Sequence, residues 1–224
     1  MQIDYNETVL ENGLKVQVHT DRNTAMVAFN LIYDVGSKDE DPEKTGFAHL
    51  FEHLMFSGSR HVKDFDAELD KVGAANNAFT NNDFTNYYIT ILPDALETAF
   101  RVESDRMRYL TITRKKLDVQ KGVVVEEFKE RCLNQPYGDA DLLIRPLCYQ
   151  THPYAWSTIG KKPEHIESVT LDDVRRFYET YYKPDNAILT VAGPVEPEAV
   201  FEMARRWFGS IPGGHRVPRR LPVE

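Results

Sequence analysis

Residues 46–56 are almost wholly apolar, yet they carry two histidines and a glutamate, His49-Leu50-Phe51-Glu52-His53. Phe47, Ala48, Leu50, Phe51, Leu54, Met55 and Phe56 give the segment the composition of a buried helix. Positions four apart on a helix lie one turn apart on one face, so His49 and His53 project together and Glu52 leans into the same space. Polar groups in such a setting need partners, because burying them unpaired is costly. Whatever fold the chain adopts must therefore bring a partner to this face. A metal ion is one such partner; a solvated face with two ordinary histidines is the bland alternative. The H-x-x-E-H order reverses H-E-x-x-H, in which two imidazoles hold zinc beside a carboxylate base.

The surrounding pattern places this helix in a mixed fold. Asn12-Gly13 between runs 7–10 and 14–19 predicts a hairpin. Val27, Phe29, Leu31 and Tyr33 alternate within a third strand over 26–35, and the charged stretch 36–44 predicts a loop. Residues 76–83 and 84–92 predict two strands joined by an Asn/Asp turn, and 187–192 a further apolar strand. Helices are expected over 46–56, 64–72, 96–109, 114–134, 139–149, 171–182 and 197–208. Strands and helices come in blocks, which favours an α+β fold: an antiparallel β-sheet with helices packed mainly on one face. Residues 1–212 read as a single domain. From Gly213 the chain is rich in Gly, Pro and Arg, with Arg216, Arg219 and Arg220, and residues 213–224 read as a tail or the start of an interdomain linker.

Composition narrows the function classes. A formal net charge of −8 lacks the basic footprint of a nucleic-acid binder. No apolar run approaches the ~20 residues of a membrane span. Residues 1–5 lack the basic and apolar regions of a signal peptide, so a cytoplasmic location is the default, with the periplasm open to a chain whose leader was removed. Cys132 and Cys148 are too few for a disulfide framework and read as reduced thiols in a helical region.

A catalytic zinc takes three protein ligands and keeps one position open. A third ligand must come from elsewhere, and Val123-Val124-Val125-Glu126-Glu127-Phe128 stands out. The alternative there is an exposed glutamate pair with valines facing a core. Glu127 lies 74 positions after His53 and Glu126 lies 73, so spacing does not separate them.

Several segments in order resemble the N-terminal domain of the M16 metallopeptidases, the pitrilysin, insulysin and mitochondrial processing peptidase family. They are Glu11-Asn12-Gly13-Leu14, the helix 46–56, Asn77-Ala78-Phe79-Thr80 followed by Asp83, Thr85 and Tyr87, Val123-Val124-Val125-Glu126-Glu127, Asn134-Gln135-Pro136-Tyr137-Gly138, and Tyr182-Lys183-Pro184-Asp185-Asn186-Ala187 with Ala192-Gly193. The resemblance spans nearly the whole chain. It implies an M16 peptidase-like fold and a zinc endopeptidase acting on short or unfolded polypeptides. It implies His49, His53 and Glu127 as zinc ligands, with Glu126 as the alternative third, and Glu52 as general base. It implies Asn77, Ala78, Phe79 and Thr80 as an edge strand that pairs with a peptide substrate. Some members carry a glutamate seven residues before the distal ligand; here that position is Gln120, so an amide would have to orient its neighbours.

Family enzymes are built from two similar domains, the second supplying an Arg and a Tyr to the substrate carbonyl. This chain matches one, so the resemblance implies a second M16-like domain or partner subunit, with homo-oligomerisation as a further option. A catalytically silent assembly subunit is the competing function, since the family includes halves that have lost catalysis. A structural zinc domain competes weakly: it would need four protein ligands, and neither cysteine lies at ligand spacing.

Overall fold

The computed structural model describes residues 3–214 and 218–224; Arg216 of the basic cluster lies outside the described residues. Strands β1 (Asn6–Val9), β2 (Lys15–Thr20), β3 (Val27–Tyr33), β4 (Ala75–Thr80), β5 (Thr85–Ile91) and β6 (Ala187–Gly193) form one open sheet in the order β1-β2-β6-β3-β5-β4. Val27, Phe29, Leu31 and Tyr33 of β3 are fully buried, as are Leu189 and Val191 of β6, while Ala28 in β3 and Ile188 in β6 are exposed. That alternation marks a sheet with one covered and one open face.

The helices are α1 (Phe47–Met55), α2 (Phe65–Asp70), α3 (Leu96–Tyr109), α4 (Arg114–Phe128), α5 (Ala140–Cys148), α6 (Pro163–Glu167), α7 (Leu171–Tyr181) and α8 (Pro197–Phe208), of which α1, α2, α3 and α8 pack directly on the sheet. Phe29 of β3 meets Phe100 of α3 edge-on with centroids 5.0 Å apart. Phe51 of α1 packs against Phe177 of α7 at 5.3 Å and Tyr182 at 4.4 Å, which fixes α1 over the sheet. Truncating so buried an aromatic to alanine costs about 3–5 kcal/mol. This is the expected α+β architecture, with helices mainly on one face.

Three details depart from the sequence reading. The β2–β6 pair is parallel, with Val16 opposite Leu189 and Val18 opposite Val191, while every other pair is antiparallel. Parallel neighbours need a crossover, and here the crossover is the whole stretch between β2 and β6. The expected helix 114–134 is α-helical only to Phe128 and continues as a π-helical turn over Lys129–Leu133. α6 was not expected, since five residues starting at Pro163 are too short to show a period.

β4 pairs with β5 alone and forms an outer edge of the sheet. Cys132 is buried and Cys148 exposed, both free. Among the described residues no helix is long and apolar enough to cross a membrane.

Candidate metal centre

α1 begins where two constraints meet. Gly46 sits at φ +84°, and a Cβ there would stand 2.7 Å from the Ile159 carbonyl oxygen, so glycine is required on both counts. No side chain of the helix's own first residues caps it. Instead the Glu40 carboxylate reaches in: Oε2 accepts from Gly46 N–H at 3.0 Å and Oε1 from Ala48 N–H at 2.8 Å. Trp156 Nε1 donates to Oε2 at 2.9 Å. A carboxyl group at a helix N-terminus satisfies orphan backbone donors. Burial pushes the Glu40 carboxyl up to about 8 against the pull of these donors. Leu50, Phe51, Leu54 and Met55 are fully buried on one side of α1, which turns His49, Glu52 and His53 toward the other.

α4 lies against α1 and buries Val124, Val125 and Phe128. Gln120, Val124 and Glu127 fall on one stripe of α4 by their spacing of four and three. Glu127 thereby faces the histidines, whereas Glu126 turns to solvent and pairs with Lys129 at 2.6 Å. His49 Nε2 and His53 Nε2 lie 3.3 Å apart, and Glu127 Oε2 lies 3.7 Å from the first and 3.5 Å from the second. Among the described residues this is a group of His and carboxylate atoms able to hold a metal ion. Tetrahedral zinc with ligand bonds of about 2.0–2.2 Å has ligand-to-ligand edges of roughly 3.3–3.6 Å. The triangle matches those edges almost side for side, so the donor set fits zinc.

The electrostatics agree with a ligand set. Burial lowers His49 to about 4, which keeps its imidazole neutral and its lone pair available over the ordinary pH range. Its Nδ1 is buried and without a hydrogen-bond partner among the described residues. His53 is also pulled down by burial, but Glu127, Glu52 and a side-chain hydrogen bond with Gln120 outweigh that and raise it. The hydrogen bond with His53 holds the Glu127 carboxyl below its ordinary value.

Two contacts at the site were not anticipated. Arg131, from the π-helical turn, pairs with Glu127 Oε1 at 2.6 Å, so one carboxylate oxygen is tethered and the other faces the imidazoles. Its spacing of four from Glu127 was a readable signal. Glu40 had none: nothing in the loop distinguishes it from Asp39, Asp41 or Glu43.

Glu52 projects toward β4, where the Thr80 hydroxyl donates to its Oε2 at 2.6 Å. Burial raises the Glu52 carboxyl and the Thr80 bond opposes the rise. Along β4, Asn77 and Phe79 are exposed while Ala78 and Thr80 are half-buried, and Asn77 Oδ1 accepts from Ala78 N–H at 2.8 Å. The structure thus gathers His49, Glu52, His53, Glu127 and Thr80, and sets Asn77, Ala78 and Phe79 along the adjoining edge.

Residues 7–147 match the family model described as Insulinase (Peptidase family M16), and residues 168–224 match that of the Peptidase M16 inactive domain. The chain is 32% identical over 210 residues to the zinc protease PqqE of Helicobacter pylori, covering 92% of this chain and 47% of that protein. It is 27% identical over 219 residues to the mitochondrial-processing peptidase subunit beta of Caenorhabditis elegans, covering 96% and 47%. The crystal structure of a protease from Helicobacter pylori superposes with a TM-score of 0.92 at 30% identity, over 100% of this chain and 54% of that one. The chain therefore spans about half the length of the relatives it matches.

Proposed function

This chain belongs to peptidase family M16, and we propose that it is the catalytic half of a zinc-dependent endopeptidase acting on short or unfolded polypeptides. The observation that carries the reading is the triangle of His49 Nε2, His53 Nε2 and Glu127 Oε2, whose edges of 3.3 to 3.7 Å suit tetrahedral zinc. We assign these three residues as ligands, Glu52 as general base, and Asn77, Ala78, Phe79 and Thr80 as the substrate edge. Bound there, zinc would supply Lewis-acid activation of water and polarisation of the scissile carbonyl.

The chain's own residues do the rest. Arg131 tethers Glu127 Oε1, and Gln120, on the same stripe of α4 as Glu127, is placed to steady His53. Thr80 holds Glu52 Oε2, which leaves Oε1 to take a proton from the attacking water and pass it to the leaving amine. Half-burial keeps that carboxyl more basic than in water. An extended peptide adds to the open edge of β4 by main-chain pairing, displacing Asn77 Oδ1 from Ala78 N–H. Such pairing selects loosely by sequence and strongly for extended chains.

In this reading residues 1–212 are one domain and 213–224 begin a connection to a second M16-like domain, or a partner subunit supplies it. The twofold greater length of the relatives supports this. The test is metal analysis with cleavage of an internally quenched peptide, on the wild-type chain and on Glu52→Gln. Zinc retained in both and cleavage lost only in the variant supports the assignment; a wild-type chain that binds no zinc overturns it. Zinc bound by a chain that stays inactive beside a complementary half would favour the silent-subunit reading. Robust cleavage by the isolated chain would remove the need for a second half.

A further inference from the structure

The stretch 36–40, read from sequence only as loop, ties together parts of the molecule far apart in sequence. Its backbone holds the β4–β5 turn: Ser37 N–H donates to Asn81 O at 3.2 Å and Lys38 N–H to Asn82 O at 3.0 Å. Asn82 Nδ2 returns a bond to Ser37 Oγ at 2.8 Å. The approach is so close that a Cβ on Gly36 would lie 2.5 Å from the Asn82 carbonyl oxygen. Two residues on, Glu40 caps α1. One short loop thus sets the metal-binding helix and the end of the substrate edge relative to each other.

Arg219 fastens this loop. Its Nε donates to Asp39 Oδ1 at 2.5 Å and its Nη2 to Asp39 Oδ2 at 3.3 Å, a two-pronged fork. Its Nη1 pairs with Asp34 Oδ2 at 2.7 Å, and Nη2 also donates to the Asp34 carbonyl oxygen. The Asp39 side chain is only 3% exposed. Asp39 Oδ2 accepts in turn from Gly36 N–H at 3.0 Å, which carries the restraint into the loop backbone. Removing the guanidinium would leave a buried carboxylate beside the equally buried Glu40, and an uncompensated buried charge makes its surroundings rearrange.

We propose that Arg219 is a positioning residue for the metal centre: by clasping Asp34 and Asp39 it locks the 36–40 loop, and through it the start of α1 and the β4–β5 turn. The inference rests on the ligand and substrate assignments above for its functional meaning, but its structural core is tested without them. The chain segment holding Arg219 is then a working part of the site rather than a passive tail.

The experiment compares wild type, Arg219→Ala, Arg219→Lys, Asp39→Asn and the double variant Arg219→Ala with Asp39→Asn. One readout is amide hydrogen exchange at Ser37, Lys38, Gly46 and Ala48; the other is zinc affinity by chelator competition. Arg219→Ala should speed exchange at those four amides roughly tenfold, with the β3 and β6 amides unchanged, as expected of a local opening. It should weaken zinc binding by roughly tenfold, the low end for residues that support metal ligands. Arg219→Lys, a point charge without the fork, should restore only part of the protection. In the Asp39→Asn background, Arg219→Ala should add little. Unchanged protection at the four amides in Arg219→Ala overturns the proposal, as does an equal effect in both backgrounds. The exchange arm decides the clasp even for a chain that binds no zinc, so its failure is distinct from failure of the metal reading. Zinc bound equally by wild type and Arg219→Ala would overturn the functional half of the proposal alone.

Discussion

Thr80 and Glu52 meet across the gap between β4 and α1, the hydroxyl donating to Oε2 at 2.6 Å. One residue of the proposed substrate edge therefore fixes the proposed base. Thr80→Val keeps the shape of the side chain and removes the donor. A hydrogen bond to a charged group is worth about 1.5–3 kcal/mol, so kcat should fall roughly tenfold to a hundredfold. Zinc content should stay at the wild-type level, and Thr80→Ser should recover most of the activity. Steady-state kinetics beside metal analysis decides it; a loss confined to KM would point to peptide binding instead.

Glu127 and Glu126 are separated by orientation. Glu127→Gln removes a proposed ligand and should weaken zinc binding by more than about a hundredfold, the upper range for mere supporting contacts. Glu126→Gln breaks only a surface pair with Lys129 and should leave affinity unchanged. Competition titration with a chromogenic chelator measures both; equal losses would undo the ligand assignment.

Gln120 lies on the α4 stripe that carries Glu127 and is placed to steady the His53 ring. Gln120→Ala should cost roughly tenfold in zinc affinity without unfolding the chain. Gln120→Glu should preserve affinity or raise it, because a carboxylate makes the imidazole a better donor to a metal. Calorimetric titration with zinc is the readout, and no change in Gln120→Ala would show that His53 is held by packing alone.

Acid stability should report Asp173. Burial alone would raise this carboxyl, but Lys44 at 2.9 Å and Thr170, whose backbone and hydroxyl both donate, hold it well below the ordinary range. A carboxyl depressed in the folded state contributes stability that is present above its unfolded value and lost as pH falls through its folded value. Asp173→Asn should therefore destabilise by about 1 kcal/mol at neutral pH, the usual weight of a helix cap. The gap to wild type should begin to narrow below about pH 4 and close only as pH falls through the depressed folded value. Urea unfolding followed from pH 7 down to about pH 2 checks it; a gap that does not narrow with acid would assign the effect to packing.

What the sequence discloses here is what is local and periodic. His49, Glu52 and His53 were legible because polar residues at helical spacing interrupt an apolar helix. The strand over Val27–Tyr33 was legible because its side chains alternate. The choice between Glu126 and Glu127 was not legible in spacing alone, but the buried faces of Val124 and Phe128 settle which carboxylate turns inward. Glu40 and Arg219 were invisible for a physical reason. A loop carboxylate capping a helix eight residues on, and a guanidinium reaching 180 positions back to Asp39, leave no period in the chain. The parallel β2–β6 pairing escaped for the same reason, since an apolar strand carries no mark of its neighbour's direction.

That pairing has a consequence for how the protein is made. β6 is the last strand among the described residues and occupies an interior place in the sheet, between β2 and β3. Until it leaves the ribosome, β2 and β3 each present a bare, apolar edge, although every proposed metal ligand has already been synthesised. A nascent chain, or a fragment stopped after α5, would carry its chemistry on a sheet still split in two. Chaperone capture should therefore be strongest in that window, and release should coincide with the arrival of residues 187–193.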